Sequence, residues 1–145
     1  MEEGNPRGEV RSGLRVLVVD DDVDTTRLLA FLLEDWGYVA RTAGDAAHAV
    51  RVAERFLPHV ALLDLGLPGM DGLELGCRLR QIPCLTGVAL IAVTGFGRET
   101  DWREAKEAGF DAYMLKPASP LDLLATIDRV LGARLPASSL GPEAW

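Results

Sequence analysis

Cysteine is nearly absent from this chain. Cys77 and Cys84 are the two in 145 residues, and their spacing fits neither a CxxC pair nor a disulfide framework, which leaves two inert thiols in a reducing compartment. Histidine is as scarce, and His48 and His59 have no carboxylate or second histidine at relay or ligand spacing, so both are expected at the surface or in a linker. Basic residues are outnumbered, 15 Lys and Arg against 22 Asp and Glu, for a formal charge of -7. Without clustered cations the chain is not expected to bind nucleic acid through its phosphates. No apolar run reaches the ~18 residues of a membrane span. The opening MEEGNPRGEVRSG is acidic and polar, unlike a signal peptide, so a cytoplasmic location without membrane contact is expected. A P-loop, GxxxxGK(S/T), is missing, and the lone GFG of Gly95 to Gly97 lacks GxGxxG spacing, which argues against a nucleotide site.

What is present is a core-forming composition, 48% hydrophobic, enough for one domain. That domain is expected over residues 13–134, with flexible tails at 1–12 and 135–145 that carry no helical or strand periodicity. Short apolar runs at Leu14 to Val19, Tyr38 to Thr42, Val60 to Leu63, Val88 to Val93 and Ala112 to Leu115 predict strands, the continuous ones buried on both faces. Helical spacing predicts helices from Asp22 or Asp24 to Gly37, Asp45 to Arg55, Leu73 to Arg80, Glu99 to Ala108 and Leu121 to Leu131. Pro58 is expected to end the second and Gly109 the fourth. Strict strand–helix alternation implies an α/β fold with a parallel sheet covered on both sides and ligands at the carboxyl ends of the strands.

Those ends carry Asp20, Asp21 and Asp22 after the first strand, Asp64 after the third, Thr94 after the fourth and Lys116 after the fifth. Two carboxylates at ~5 Å with an effective dielectric of ~20 repel by roughly 3 kcal/mol, so a positive charge must offset them. A hard divalent cation does so with oxygen ligands, and Mg²⁺ takes one or two carboxylates while accepting phosphate oxygens. Carboxylate, metal, ammonium and hydroxyl together predict phosphoryl transfer driven by positioning and charge neutralisation.

VLVVDDD, LLDLGLPGMDG, AVTG and YMLKP, in that order, resemble the signature of receiver domains of two-component response regulators, the CheY-like superfamily, over about residues 14–132. The resemblance implies a flavodoxin-like (βα)5 three-layer sandwich with a five-stranded parallel sheet, order 2-1-3-4-5. It implies Asp64 as phosphoacceptor, Asp21 as a direct Mg²⁺ ligand, Asp20 as its outer-shell partner and Gly66 as a ligand through its backbone carbonyl, with Mn²⁺ able to substitute. Thr94 matches the hydroxyl that binds the phosphoryl group, Lys116 the lysine that pairs with it, and Pro117 a proline following a cis bond. Thr94 and Tyr113 would form the switch. Gly66, two after Asp64, and Phe96, two after Thr94, hold the positions that tune phosphoryl lifetime, and neither offers a polar side chain.

A histidine kinase or histidine phosphotransfer protein is the expected donor. A downstream protein would meet the face formed by the fourth helix, fifth strand and fifth helix, and the chain would be a monomer or a phosphorylation-dependent dimer. A stand-alone regulator or phosphorelay shuttle is expected, with a receiver excised from a hybrid histidine kinase or longer regulator as the alternative; GFGRETD resembles receivers fused to hybrid kinases. The enzymatic rival is a haloacid-dehalogenase-like phosphatase, since DVDTT at Asp22 to Thr26 fits DxDxT. Its nucleophile would come two residues late, and it gives Asp64 no role. Asp22 and Asp24 are expected as helix caps, Asp71 as a turn residue, Trp36 and Trp102 in packing or partner contact, and Trp145 as an idle tail residue.

Overall fold

The computed structural model describes residues 13–95 and 99–134; both expected tails, Phe96 and Trp145 lie outside them. Five strands, β1 (Arg15–Val19), β2 (Val39–Ala43), β3 (Val60–Leu63), β4 (Ala89–Thr94) and β5 (Ala112–Leu115), alternate with five helices, α1 (Val23–Asp35), α2 (Ala46–Phe56), α3 (Gly72–Gln81), α4 (Glu99–Glu107) and α5 (Pro120–Arg134). All strand pairings are parallel, and the sheet order is β2-β1-β3-β4-β5, the flavodoxin-like topology expected. Every residue of β3 and β4 is buried, as continuous apolar runs require of central parallel strands.

Because side chains alternate across a strand, the sheet divides the core in two. Leu17, Val19, Ala61, Leu63, Leu90 and Ala92 face one way and pack with Ala49 and Ala53 of α2, Leu75 and Leu79 of α3 and Ala105 of α4. Val16, Val18, Val60, Leu62, Ile91 and Val93 face the other way, against Leu33 of α1 and Leu123, Ile127 and Val130 of α5. The result is the three-layer sandwich. Four helix starts are marked by a short polar side chain: Asp22, rather than Asp24, which lies in the first turn of α1, accepts from the Asp24 and Thr25 amides, Asp45 from His48, Asp71 from Leu73, and Ser119 Oγ from Asp122, occupying amides that have no partner within the helix. Asp71, expected as a turn residue, is the cap of α3. Helix α2 stops one residue before Pro58, at Leu57, which adopts a left-handed φ of 51°.

The amino ends of the strands are tied by a charged group that has no sequence signature. Arg80, near the end of α3, donates to the Val88 carbonyl through Nε (3.2 Å) and Nη2 (3.0 Å), to the Gly109 carbonyl (2.6 Å) and to Asp111 Oδ2 (3.1 Å). Asp111 Oδ2 also accepts from the Leu90 amide at 2.8 Å. Three segments are thus held together opposite the acidic end.

Candidate functional site

Register assembles the acidic cluster. Val19 of β1 lies beside Leu63 of β3, so the next residues, Asp20 and Asp64, leave adjacent strands at the same level. The ladder continues past the strand ends, with the Asp20 amide donating to the Ala43 carbonyl (3.1 Å) and the Asp64 amide to that of Val19 (3.0 Å). Two strands further on, Thr94 is paired with Leu115, and the Lys116 amide donates to the Thr94 carbonyl at 2.8 Å. The Lys116–Pro117 peptide bond is cis.

Carboxylate oxygens of Asp20, Asp21 and Asp64 come within 4.8 Å of one another. Asp20 and Asp64 are buried and Thr94 is fully buried, whereas Asp21 is exposed. The Lys116 ammonium stands between the buried pair, 2.5 Å from Asp20 Oδ2 and 3.2 Å from Asp64 Oδ2. Burial works against its charge, yet the hydrogen bonds and attraction of Asp20 and Asp64 outweigh that and raise its pKa above the ordinary lysine value. The opposite carboxylate oxygens are held by backbone, Asp20 Oδ1 by the Asp22 amide and Asp64 Oδ1 by the Gly66 amide, both at 2.9 Å. The Gly66 amide therefore faces Asp64, a contact the sequence did not announce.

Three carboxylates face one ammonium, a formal deficit of two positive charges. An all-oxygen donor set of that charge fits a hard divalent ion, which compensates acidic repulsion without thiolate or imidazole ligands. Asp22 stands outside the cluster. Its Oδ1 caps α1, and its Oδ2 accepts from Thr25 Oγ1 at 3.0 Å; this bond, followed by that from the Thr25 amide, lowers its pKa. The DxDxT reading needs Asp22 as a free nucleophile and finds it employed as a cap.

Tyr113 is half-buried on β5, packed against the Leu17–Leu90 cluster, and its ring meets that of Trp102 on α4. His48 is exposed, as expected. His59 lies in the linker between α2 and β3, as expected, but is half-buried, and its Nδ1 accepts the Arg15 amide at 2.9 Å. Burial first, then the Arg15 charge, lowers its pKa. No helix among the described residues is long and apolar enough to cross a membrane.

The model of the response regulator receiver domain family matches residues 16–128. An uncharacterized 14.6 kDa protein in the sodA1 3' region of Leptolyngbya boryana is 41% identical over 114 residues, 79% of this chain and 87% of that one. The phosphate regulon transcriptional regulatory protein PhoB of Pseudomonas aeruginosa is 36% identical over 132 residues, 90% of this chain but 57% of its own length, so the chain spans little more than half of that regulator. Among solved structures, a CheY-like receiver domain protein of Methanospirillum hungatei superposes with a TM-score of 0.79 at 33% identity, covering 85% of this chain and 97% of that one. Fold, register and family model agree, and the chain belongs to the response regulator receiver domains of two-component signalling.

Proposed function

We propose that the chain is a phosphoacceptor switch in which Asp64 takes a phosphoryl group from a phosphohistidine, and that Asp20, Asp21, Asp64 and the Gly66 carbonyl hold a Mg²⁺ ion during the transfer. The observation carrying this reading is the meeting of three carboxylates with Lys116, which hydrogen-bonds Asp20 and Asp64 together. Such a site does little covalent chemistry of its own and works by placing charges.

A carboxylate oxygen of Asp64 attacks phosphorus in line while the bond to the donor imidazole nitrogen breaks, and the imidazole leaves with that electron pair. Phosphorylating a carboxylate is uphill in water, which is why the donor is a phosphohistidine of a kinase or phosphotransfer protein. Bound Mg²⁺ supplies neutralisation of the phosphoryl oxygens. Lys116 follows the new negative charge from Asp64 Oδ2 to a phosphoryl oxygen, and the Thr94 hydroxyl donates to another. The movement of Thr94 makes room for Tyr113, changing the surface formed by α4, β5 and α5, through which a downstream protein or a second copy binds. Gly66 brings no side chain to orient an attacking water, so the phosphoryl group is long-lived.

Incubation with acetyl phosphate and Mg²⁺ followed by intact-mass analysis tests the reading. One added phosphoryl group is expected on the wild type and none on Asp64→Asn. An adduct that persists in the variant, or none in either protein, overturns it.

A further inference from the structure

Trp102 and Tyr113 stand on different elements, α4 and β5, yet their ring centroids are 5.6 Å apart with the planes tilted by 57°. At that separation aromatic rings attract beyond the area they bury, enough to bias a side-chain equilibrium by about two- to tenfold. Tyr113 is paired across from Ala92 and packs on the same side of the sheet, against the Leu17–Leu90 cluster. Thr94, two residues beyond Ala92 on β4, projects to that side too. Trp102 is 37% exposed while Tyr113 is half-buried, so the indole is the outer ring of the pair.

The geometry points to Trp102 as a latch on the switch: a positioning residue that holds Tyr113 against α4 and ties the orientation of that helix to the tyrosine's rotamer. The inference rests on the reading of Asp64 as phosphoacceptor and adds the element that sets the resting balance. Tyr113 cannot turn toward space vacated by Thr94 without leaving the indole. Helix α4 follows the β4 end that carries Thr94, so one helix bears both the consequence of Thr94 moving and the ring that opposes it. Release turns the phenol inward and uncovers the indole, on the side of the molecule where the downstream partner is proposed to bind.

Two measurements on the full chain test the latch. With Trp36→Phe and Trp145→Phe, Trp102 becomes the single tryptophan of the three. Its emission is expected to move to longer wavelength in proportion to the fraction labelled by acetyl phosphate and Mg²⁺, counted by intact mass in the same samples. In the otherwise native chain, Trp102→Ala is expected to label about two- to tenfold faster, the bias removed, while Trp102→Phe, which retains a ring, labels near the wild-type rate. A purely structural tryptophan would lower the melting temperature of Trp102→Ala without accelerating labelling. Full labelling with unchanged emission, or Trp102→Ala labelling at the wild-type rate, overturns the latch and leaves the phosphoacceptor reading standing. Absence of any Asp64 adduct overturns both.

Discussion

Lys116 lies closer to Asp20, at 2.5 Å, than to Asp64, at 3.2 Å. The ammonium is thus shared, and its stronger contact is with the carboxylate that is not the proposed acceptor. Transfer to Asp64 then needs no rupture of the Lys116–Asp20 pair, since the lysine can turn from Asp64 toward a phosphoryl oxygen while Asp20 keeps it in place. Asp20 is thus bound to the lysine as well as being one of the proposed metal ligands.

Asp20→Asn is expected to weaken Mg²⁺ binding by about tenfold or more, the loss of ~1.4 kcal/mol or more of charge attraction. A ligand that binds only the folded chain raises its stability by mass action. Mg²⁺ should therefore raise the wild-type melting temperature, chelation with EDTA should reverse the gain, and the gain should shrink in Asp20→Asn. Equal Mg²⁺ responses of the two proteins would remove Asp20 from the metal site.

Gly72 opens α3 directly against the backbone of Asp64 and Leu65. A Cβ there would lie 2.6 Å from the Asp64 carbonyl oxygen and 2.7 Å from Leu65 Cα, both backbone atoms, whereas one at Gly95 meets nothing within 4 Å. Gly72→Ala is expected to cost about 1–3 kcal/mol in urea unfolding, the range of overpacking, and to slow labelling of Asp64 by displacing it. Gly95→Ala should leave stability within ~0.5 kcal/mol of wild type. A Gly72→Ala protein as stable and reactive as wild type would contradict the close approach.

His59 links pH to stability. Its Nδ1 accepts the Arg15 amide, which requires that nitrogen to be unprotonated, and its pKa is held below the ordinary value of 6.5. The unfolded chain binds a proton that the folded chain resists, so the His59 contribution is full above the unfolded value and lost as pH falls through the depressed folded value. Between about pH 7.5 and about pH 5.5, spanning the ordinary histidine titration, the wild-type melting temperature should fall more steeply than that of His59→Gln. Parallel pH profiles would show that the imidazole titrates freely in the folded state.

The Gly66 position should set how long the signal persists. Gly66→Asn places an amide two residues beyond Asp64, able to orient a water, and is expected to shorten the phosphoryl lifetime about fivefold, the rate equivalent of one hydrogen bond of ~1 kcal/mol. Decay of the intact-mass adduct after removal of acetyl phosphate measures it. A longer lifetime in Gly66→Asn would mean that the bare glycine is itself the water path.

Much of this was legible because central parallel strands announce themselves as unbroken apolar runs, and chemistry collects where they end. Asp20, Asp64, Thr94 and Lys116 could be aligned by counting to the end of each run, and the register then brought them to one end of the sheet. Contacts created only by folding could not be read. Nothing near His59 in sequence hints that the Arg15 amide, on a neighbouring strand, uses its imidazole. The preference of Lys116 for Asp20 depends on side-chain reach across two strands. Gly72 and Gly76 look like ordinary helix residues until the Asp64 carbonyl and the Phe110 ring are found within 2.7 Å of their missing Cβ positions. Boundaries moved by a residue or so for local reasons: α2 runs on to Phe56 because Leu57, rather than Pro58, takes the left-handed turn.

The Arg80 tether has a mechanical consequence. By joining the end of α3, the approach to β4 and the turn into β5, it pins one end of this part of the sheet while the other end carries Thr94 and Lys116. Displacements there should grow with distance from a fixed fulcrum, as in a lever. A shift of a fraction of an ångström near Arg80 would then correspond to a larger one at the acidic rim, which lets a rigid scaffold carry a moving edge.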